Sequence, residues 1–118
     1  MLSRVCSGQG SFSKIRYENY KDVVQLIKQG KRRFSIRKDR DYLEDLLEIG
    51  ISEAEAWNYI LELNSHFYFS DPKPTYYKTN NLLIFKRKIN GENVYIKLVI
   101  EKNDTEEETV CLSFHKDI

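Results

Sequence analysis

Residues 89–100 read Ile89-Asn90-Gly91-Glu92-Asn93-Val94-Tyr95-Ile96-Lys97-Leu98-Val99-Ile100, an Asn-Gly turn followed by the most regular strand in the chain. Asn-Gly supplies the two left-handed positions of a tight hairpin. After it, Val94, Ile96, Leu98 and Ile100 fall on one side of a strand, and Tyr95, Lys97 and Val99 on the other. The turn also predicts a strand before it, over Asn81–Lys88. There Leu83 and Phe85 point inward and Lys86 and Lys88 outward, with Leu82 and Ile84 blurring the phase. Asn103-Asp104-Thr105 marks a second turn and Glu108–His115 a last strand. In that strand alternation places Val110, Leu112 and Phe114 on the buried side and Thr109, Cys111, Ser113 and His115 on the open side.

Upstream of the meander the period changes. Asn19–Gln29 carries Val23, Val24, Leu26 and Ile27 on one helical stripe, with Gly30 as its C-terminal cap. Asp39–Ile49 repeats the helical spacing and stops at Gly50. Ser52 with Glu55 three residues on is a capping box opening a third helix to about Leu63. Arg33–Arg37 alternates, which makes Phe34–Ile36 a candidate edge strand. His66–Thr75, with Asp71-Pro72-Lys73-Pro74, is a rigid non-helical connection. The fold class that follows is α+β: N-terminal helices packed on one face of a C-terminal antiparallel sheet of three to four strands. Residues 1–13, rich in Ser and Gly, read as a flexible lead, and residues 14–118 as a single domain.

At 118 residues and 41% hydrophobic, the chain has enough apolar surface for one buried core. No run of residues has the length or apolarity of a membrane span, and the first residues lack the apolar core of a signal peptide. Cys6 and Cys111 stand alone, without the paired spacing of a zinc site or a disulfide framework, so no metal or other cofactor is expected and a cytoplasmic setting is. The net charge of +1 conceals segregation. Residues 31–38 hold five cations and no anion, and residues 73–99 hold six cations against Glu92. Residues 41–56 hold six carboxylates and no cation, and residues 101–108 five against Lys102. Solvated surface is the simplest explanation of each run.

The open side of the sheet nevertheless gathers Lys86, Lys88, Tyr95, Lys97 and His115, with Lys116 next along. Cutting RNA without a metal requires a base for the 2′-OH proton, cations for the charge on the phosphorane, and an acid for the leaving 5′-oxygen. Histidine as a residue type serves either proton step, and tyrosine or lysine can when crowded by positive charge. Tyr68, Tyr76 and Tyr77 are candidates to stack unpaired bases, worth ~1–3 kcal/mol per base. The bland counterpart is a solubilising lysine face with an ordinary cross-strand tyrosine.

Phe67-Tyr68-Phe69-Ser70-Asp71-Pro72, Leu83 to Gly91, Val94-Tyr95-Ile96-Lys97-Leu98 and Leu112-Ser113-Phe114-His115 together resemble the MqsR family of toxins. These are similar to RelE/ParE-type folds, the mRNA interferases of type II toxin–antitoxin systems. The likeness spans about Ile60–Asp117, and the helical half matches only in layout. It implies an endoribonuclease that cuts free mRNA without a metal, leaving a 2′,3′-cyclic phosphate and a 5′-hydroxyl, and a cognate antitoxin protein that silences it. By position it implies that Tyr95 is catalytic, that Lys86 or Lys88 supplies the basic residue of the preceding strand, and that His115 or Lys116 supplies the one after the terminal Ser-Phe. Lys97, Lys73, Tyr77, Lys116 and Arg87 complete the expected RNA-binding set. Family members carry a lysine directly after the Phe-Tyr pair, where this chain has Phe69; Lys73 is the nearest replacement. Two other classes fit the same residues: a non-catalytic RNA- or protein-binding module (for example a phage- or plasmid-encoded inhibitor), and a ribosome-dependent relative docking through residues 31–38.

Overall fold

The computed structural model describes residues 14–63, 67 and 83–117. In chain order these form α1 (Lys14–Lys28), β1 (Arg32–Phe34), α2 (Tyr42–Ile49), α3 (Glu53–Leu61), β2 (Leu83–Ile89), β3 (Glu92–Lys102) and β4 (Glu107–Lys116). The strands make one mixed sheet in the order β1-β4-β3-β2, antiparallel except for β1, which runs parallel to β4.

Local chemistry sets the helix limits. The Asp41 side chain accepts from the Leu43 amide, so α2 starts at Tyr42, later than the spacing from Asp39 predicts. Ser52 and Glu55 close the expected capping box on α3, at 3.1 and 2.8 Å. Gly50, at φ 88°, ends α2 while the Ile51 amide returns to the Leu46 carbonyl. That left-handed turn is the reason a glycine stands there. The Asn90-Gly91 turn has φ of 52° and 81°, the primed hairpin predicted for it. Its Asn90 amide also donates to the Ile49 carbonyl at 3.0 Å, which ties the hairpin tip to the end of α2.

All three helices contribute to a single core against one face of the sheet. Val23, Ile27, Leu46, Ala56, Trp57 and Ile60 from the helices meet Phe85, Val94, Ile96, Leu98 and Phe114 from the strands. Phe34 on β1 stacks on Tyr42 at 4.6 Å and tilts against Trp57 at 4.8 Å, fixing the edge strand to α2 and α3. No helix among the described residues is long and apolar enough to cross a membrane.

One feature of β4 corrects the simple alternation. Lys97 pairs with Ser113 but its neighbour Leu98 pairs with Cys111, so Leu112 is an extra residue, a β-bulge. Thr109 and Cys111, expected on the open side, therefore face the helices: the Thr109 hydroxyl donates to the Val23 carbonyl, and Cys111 lies in the core. Burial pushes the Cys111 thiol strongly up, so it is not a reactive nucleophile. Val110, expected inside, instead pairs with Val99 on the other side, where with Ile84 it is buried apart from the main core. Beyond the bulge Phe114 points in and Ser113 and His115 point out, as the sequence predicts.

Tyr20 on α1 donates to the Ile60 carbonyl at 2.8 Å, and burial, partly offset by the Leu63 backbone, pushes its phenol up to about 12. The unfolded chain gives up this proton near the ordinary value of 10.0, the folded chain only near 12. Above pH 10 the folded state therefore holds a proton that the unfolded state has lost, and stability falls as pH rises. We expect up to about 2–3 kcal/mol to be lost between pH 10 and 12. Tyr20→Phe is expected to flatten this slope in urea melts across that range, although it lowers stability by about 1 kcal/mol at neutral pH.

Candidate active site

The hairpin registers line up Lys86, Tyr95 and His115 in one row across β2, β3 and β4, on the face away from the helices. Strand spacing puts neighbours in such a row about 5 Å apart. The Tyr95 and His115 rings stack at 5.5 Å with an interplanar angle of 20°. His115 Nδ1 lies 2.8 Å from the Lys116 carbonyl, which can only accept, so Nδ1 carries a hydrogen. That bond orients the ring and leaves Nε2 as the position that gains or gives up a proton.

A shallow cavity of about 300 Å³ opens beside this pair, lined by Arg40, Tyr95, His115, Lys116 and Asp117. Each cation near it has a carboxylate partner. Lys86 Nζ reaches Asp117 at 3.2 Å, Lys116 reaches Glu92 at 3.8 Å, and Arg40 reaches Asp45 at 2.8 Å. The first two pairs are partly exposed, and such pairs are worth about 0–1 kcal/mol, so an incoming phosphate displaces the carboxylates at little cost. Lys97, opposite Ser113, is two residues along the same strand face from Tyr95, and Lys88, opposite Asn93, stands exposed two residues along β2 from Lys86. The arrangement combines two proton-exchanging rings with a set of cations over one stretch of sheet.

The larger cavity, about 570 Å³, lies between α1 and the β3–β4 turn. Asp22, Asp104, Glu106 and Glu107 line it against Lys31 and Lys102, so its balance is negative and it repels phosphate despite its size.

Several expected residues are placed elsewhere. Arg87 is on the helix side of β2, opposite Val94. Its guanidinium sits over the rings of Tyr59 and Phe67 at 4.8 and 4.9 Å and pairs with Glu62 at 3.4 Å. That placement turns it away from the Tyr95 row, where the sequence grouped it with the RNA-binding set. Arg87→Ala is expected to lower stability by roughly 1–3 kcal/mol in a urea melt while leaving RNA affinity unchanged. Loss of affinity in a folded variant would restore Arg87 to the RNA face. In residues 31–38, Arg33 bridges Glu101 and Glu108, Arg37 pairs with Asp39, and Arg32 lies over Trp57 at 5.5 Å. Much of that run is thus engaged internally. Lys73 and Tyr77, with Tyr68, Phe69 and Tyr76, lie outside the described residues. Among the described residues no group of three or more metal-ligating side chains converges.

Arg40 and Asp117 were not legible as site residues. Arg40 reads as the lead-in to an acidic helix, and Asp117 as a solvated chain-end acid. Arg40 lines the same cavity as His115 just ahead of α2, which packs against β4. No family model matches the chain, and neither a curated protein nor a solved structure does. The likeness to the MqsR family rests on the quoted residues alone.

Proposed function

We propose that the chain is an endoribonuclease that cuts single-stranded mRNA in the cytoplasm by attack of the ribose 2′-OH, and that a cognate antitoxin protein holds it inactive. The observation that carries this reading is the stacked Tyr95–His115 pair set among Lys86, Lys97 and Arg40. His115 Nε2 accepts the 2′-OH proton, and the 2′-oxygen attacks the adjacent phosphorus. Lys86, Lys97 and Arg40 stabilise the charge on the non-bridging oxygens. The bond from phosphorus to the 5′-oxygen breaks, and the Tyr95 phenol donates the proton that makes it a hydroxyl. The products are a 2′,3′-cyclic phosphate and a 5′-hydroxyl end, and water returns the proton from His115 to Tyr95. The antitoxin and the RelE-like character of the fold are implied by the resemblance; the helix-on-sheet layout is compatible with both.

The test is incubation of the purified chain with naked mixed-sequence RNA in EDTA. Cyclic-phosphate ends are the expected result. RNA bound but left intact assigns the face to a non-catalytic binding module, and cutting only on ribosomes assigns it to the ribosome-dependent class.

A further inference from the structure

The large apolar side chains that stand exposed among the described residues all fall between positions 36 and 47: Ile36 at 88%, Leu43 at 54% and Leu47 at 77%. Leu43 and Leu47 are four apart on α2, so they form one stripe along the helix. Ile36 belongs to the same neighbourhood, because the Phe34–Tyr42 stack at 4.6 Å closes the loop that carries it onto the start of α2. Glu44 and Glu48, each the next residue after a leucine of the stripe, are exposed, and no cation among the described residues pairs with them. By contrast the neighbouring Asp45 is held by Arg40, and Glu53 accepts from the Tyr42 hydroxyl. The outer face of α2 is therefore a leucine rail beside an unneutralised carboxylate rail. Two carboxylates one helical turn apart repel each other, and two leucines held in water gain nothing from folding.

We infer that the α2 face is a docking surface for a partner protein, and that the occupant is an amphipathic helix with leucine-type anchors flanked by lysine or arginine at the same four-residue spacing. Apolar anchors bury against Leu43, Leu47 and Ile36, and the basic flanks meet Glu44 and Glu48. The charge excludes RNA as the occupant, since phosphates meeting this rail are repelled. It also disfavours a second copy of the chain, since two like-charged rails would face each other across the dimer axis. The surface does not depend on the nuclease reading, and its test measures no RNA cutting.

The probe is a synthetic amphipathic helix with leucines four apart and lysines flanking them, labelled for fluorescence anisotropy against the full chain. Its controls are a scrambled peptide and the same helix with glutamate for lysine. Binding is expected for the lysine helix only, weakened at least tenfold by Leu47→Ser and at least tenfold by the double change Glu44→Lys with Glu48→Lys. These positions are exposed, and an unchanged melting curve verifies that each variant is folded. Binding that survives both variants, or that the scrambled or glutamate peptide reproduces, overturns the inference. So does sedimentation showing a wild-type dimer that Leu47→Ser dissolves, because the face would then belong to a second copy.

Discussion

His115→Ala is expected to slow RNA cutting by a factor of about 10²–10⁴ while leaving RNA affinity within about threefold of the wild type. The reason is that His115 supplies a proton-exchanging nitrogen, and the phosphate is held by other groups. At 1.36 kcal/mol per tenfold, the loss corresponds to roughly 3–5 kcal/mol of barrier, far more than an exposed ion pair contributes. Tyr95→Phe is expected to fall in the same range, because it removes only the phenolic hydroxyl and keeps the ring stacked on the imidazole at 5.5 Å. The double variant should lose much less than the product of the two, since both groups serve one proton transfer chain. Lys86→Ala should behave differently, weakening binding and reducing the slope of log affinity against log salt by about one, as loss of a single phosphate contact does. Neither ring is buried, so the expected change in stability is below about 1 kcal/mol, the worth of a cross-strand pair. Single-turnover cutting with saturating enzyme separates the two effects. Undiminished cutting by His115→Ala, in a chain that melts like the wild type, removes the histidine from the site.

Much of this site was legible from period and turn chemistry. The Asn90-Gly91 turn fixes the register of β2 on β3, and with it the placement of Lys86 across from Tyr95. The run from Val94 to Leu98 alternates in burial with Tyr95 and Lys97, which sets its phase before Val99 interrupts the pattern. The junction of α2 and α3 was legible from local chemistry, Gly50 as the left-handed stop and Ser52 with Glu55 as the capping box, whereas the Asp41 cap that starts α2 was not read. What escaped is what depends on contacts distant in sequence. The short strand at Arg32–Phe34 pairs parallel to a strand more than 70 residues away, and nothing local specifies that partner. Arg87 sits between two lysines and looks like part of their patch, yet its phase on β2 sends it to Tyr59 and Phe67. The bulge at Leu112 has no glycine or proline to mark it. Its consequence was half concealed, because the misread residues lie before it and the catalytic candidate lies after.

That bulge leads to the other large effect. Inserting an alanine between Ser113 and Phe114 is expected to lower stability by about 3–5 kcal/mol and to abolish cutting, whereas deleting Leu112 is expected to keep it. The deletion removes only the extra residue: Cys111 stays opposite Leu98 and Ser113 opposite Lys97, now as consecutive residues, so Phe114 still points in and His115 out. An insertion beyond the bulge shifts the phase instead. Residues 109–111 are held in place by the pairing of β1 with β4 and by the Thr109 hydroxyl on the Val23 carbonyl. The adjustment to the insertion therefore falls on the end of β4. Re-pairing there by one residue turns Phe114 out of the core and His115 into it. Exposing the phenylalanine forfeits about 1.5–3 kcal/mol, and burying an imidazole among Val94, Ile96 and Phe85 without a partner costs a further 1–3 kcal/mol or so. If the strand end frays instead, the same burial is lost and His115 leaves Tyr95. Urea unfolding of the insertion and the deletion variant, with nuclear Overhauser contacts between the Tyr95 and His115 rings, distinguishes these outcomes. An insertion variant as stable and as active as the wild type would mean that the phase of His115 is set by something other than its pairing with β3, and the row from Lys86 to His115 would lose its structural cause.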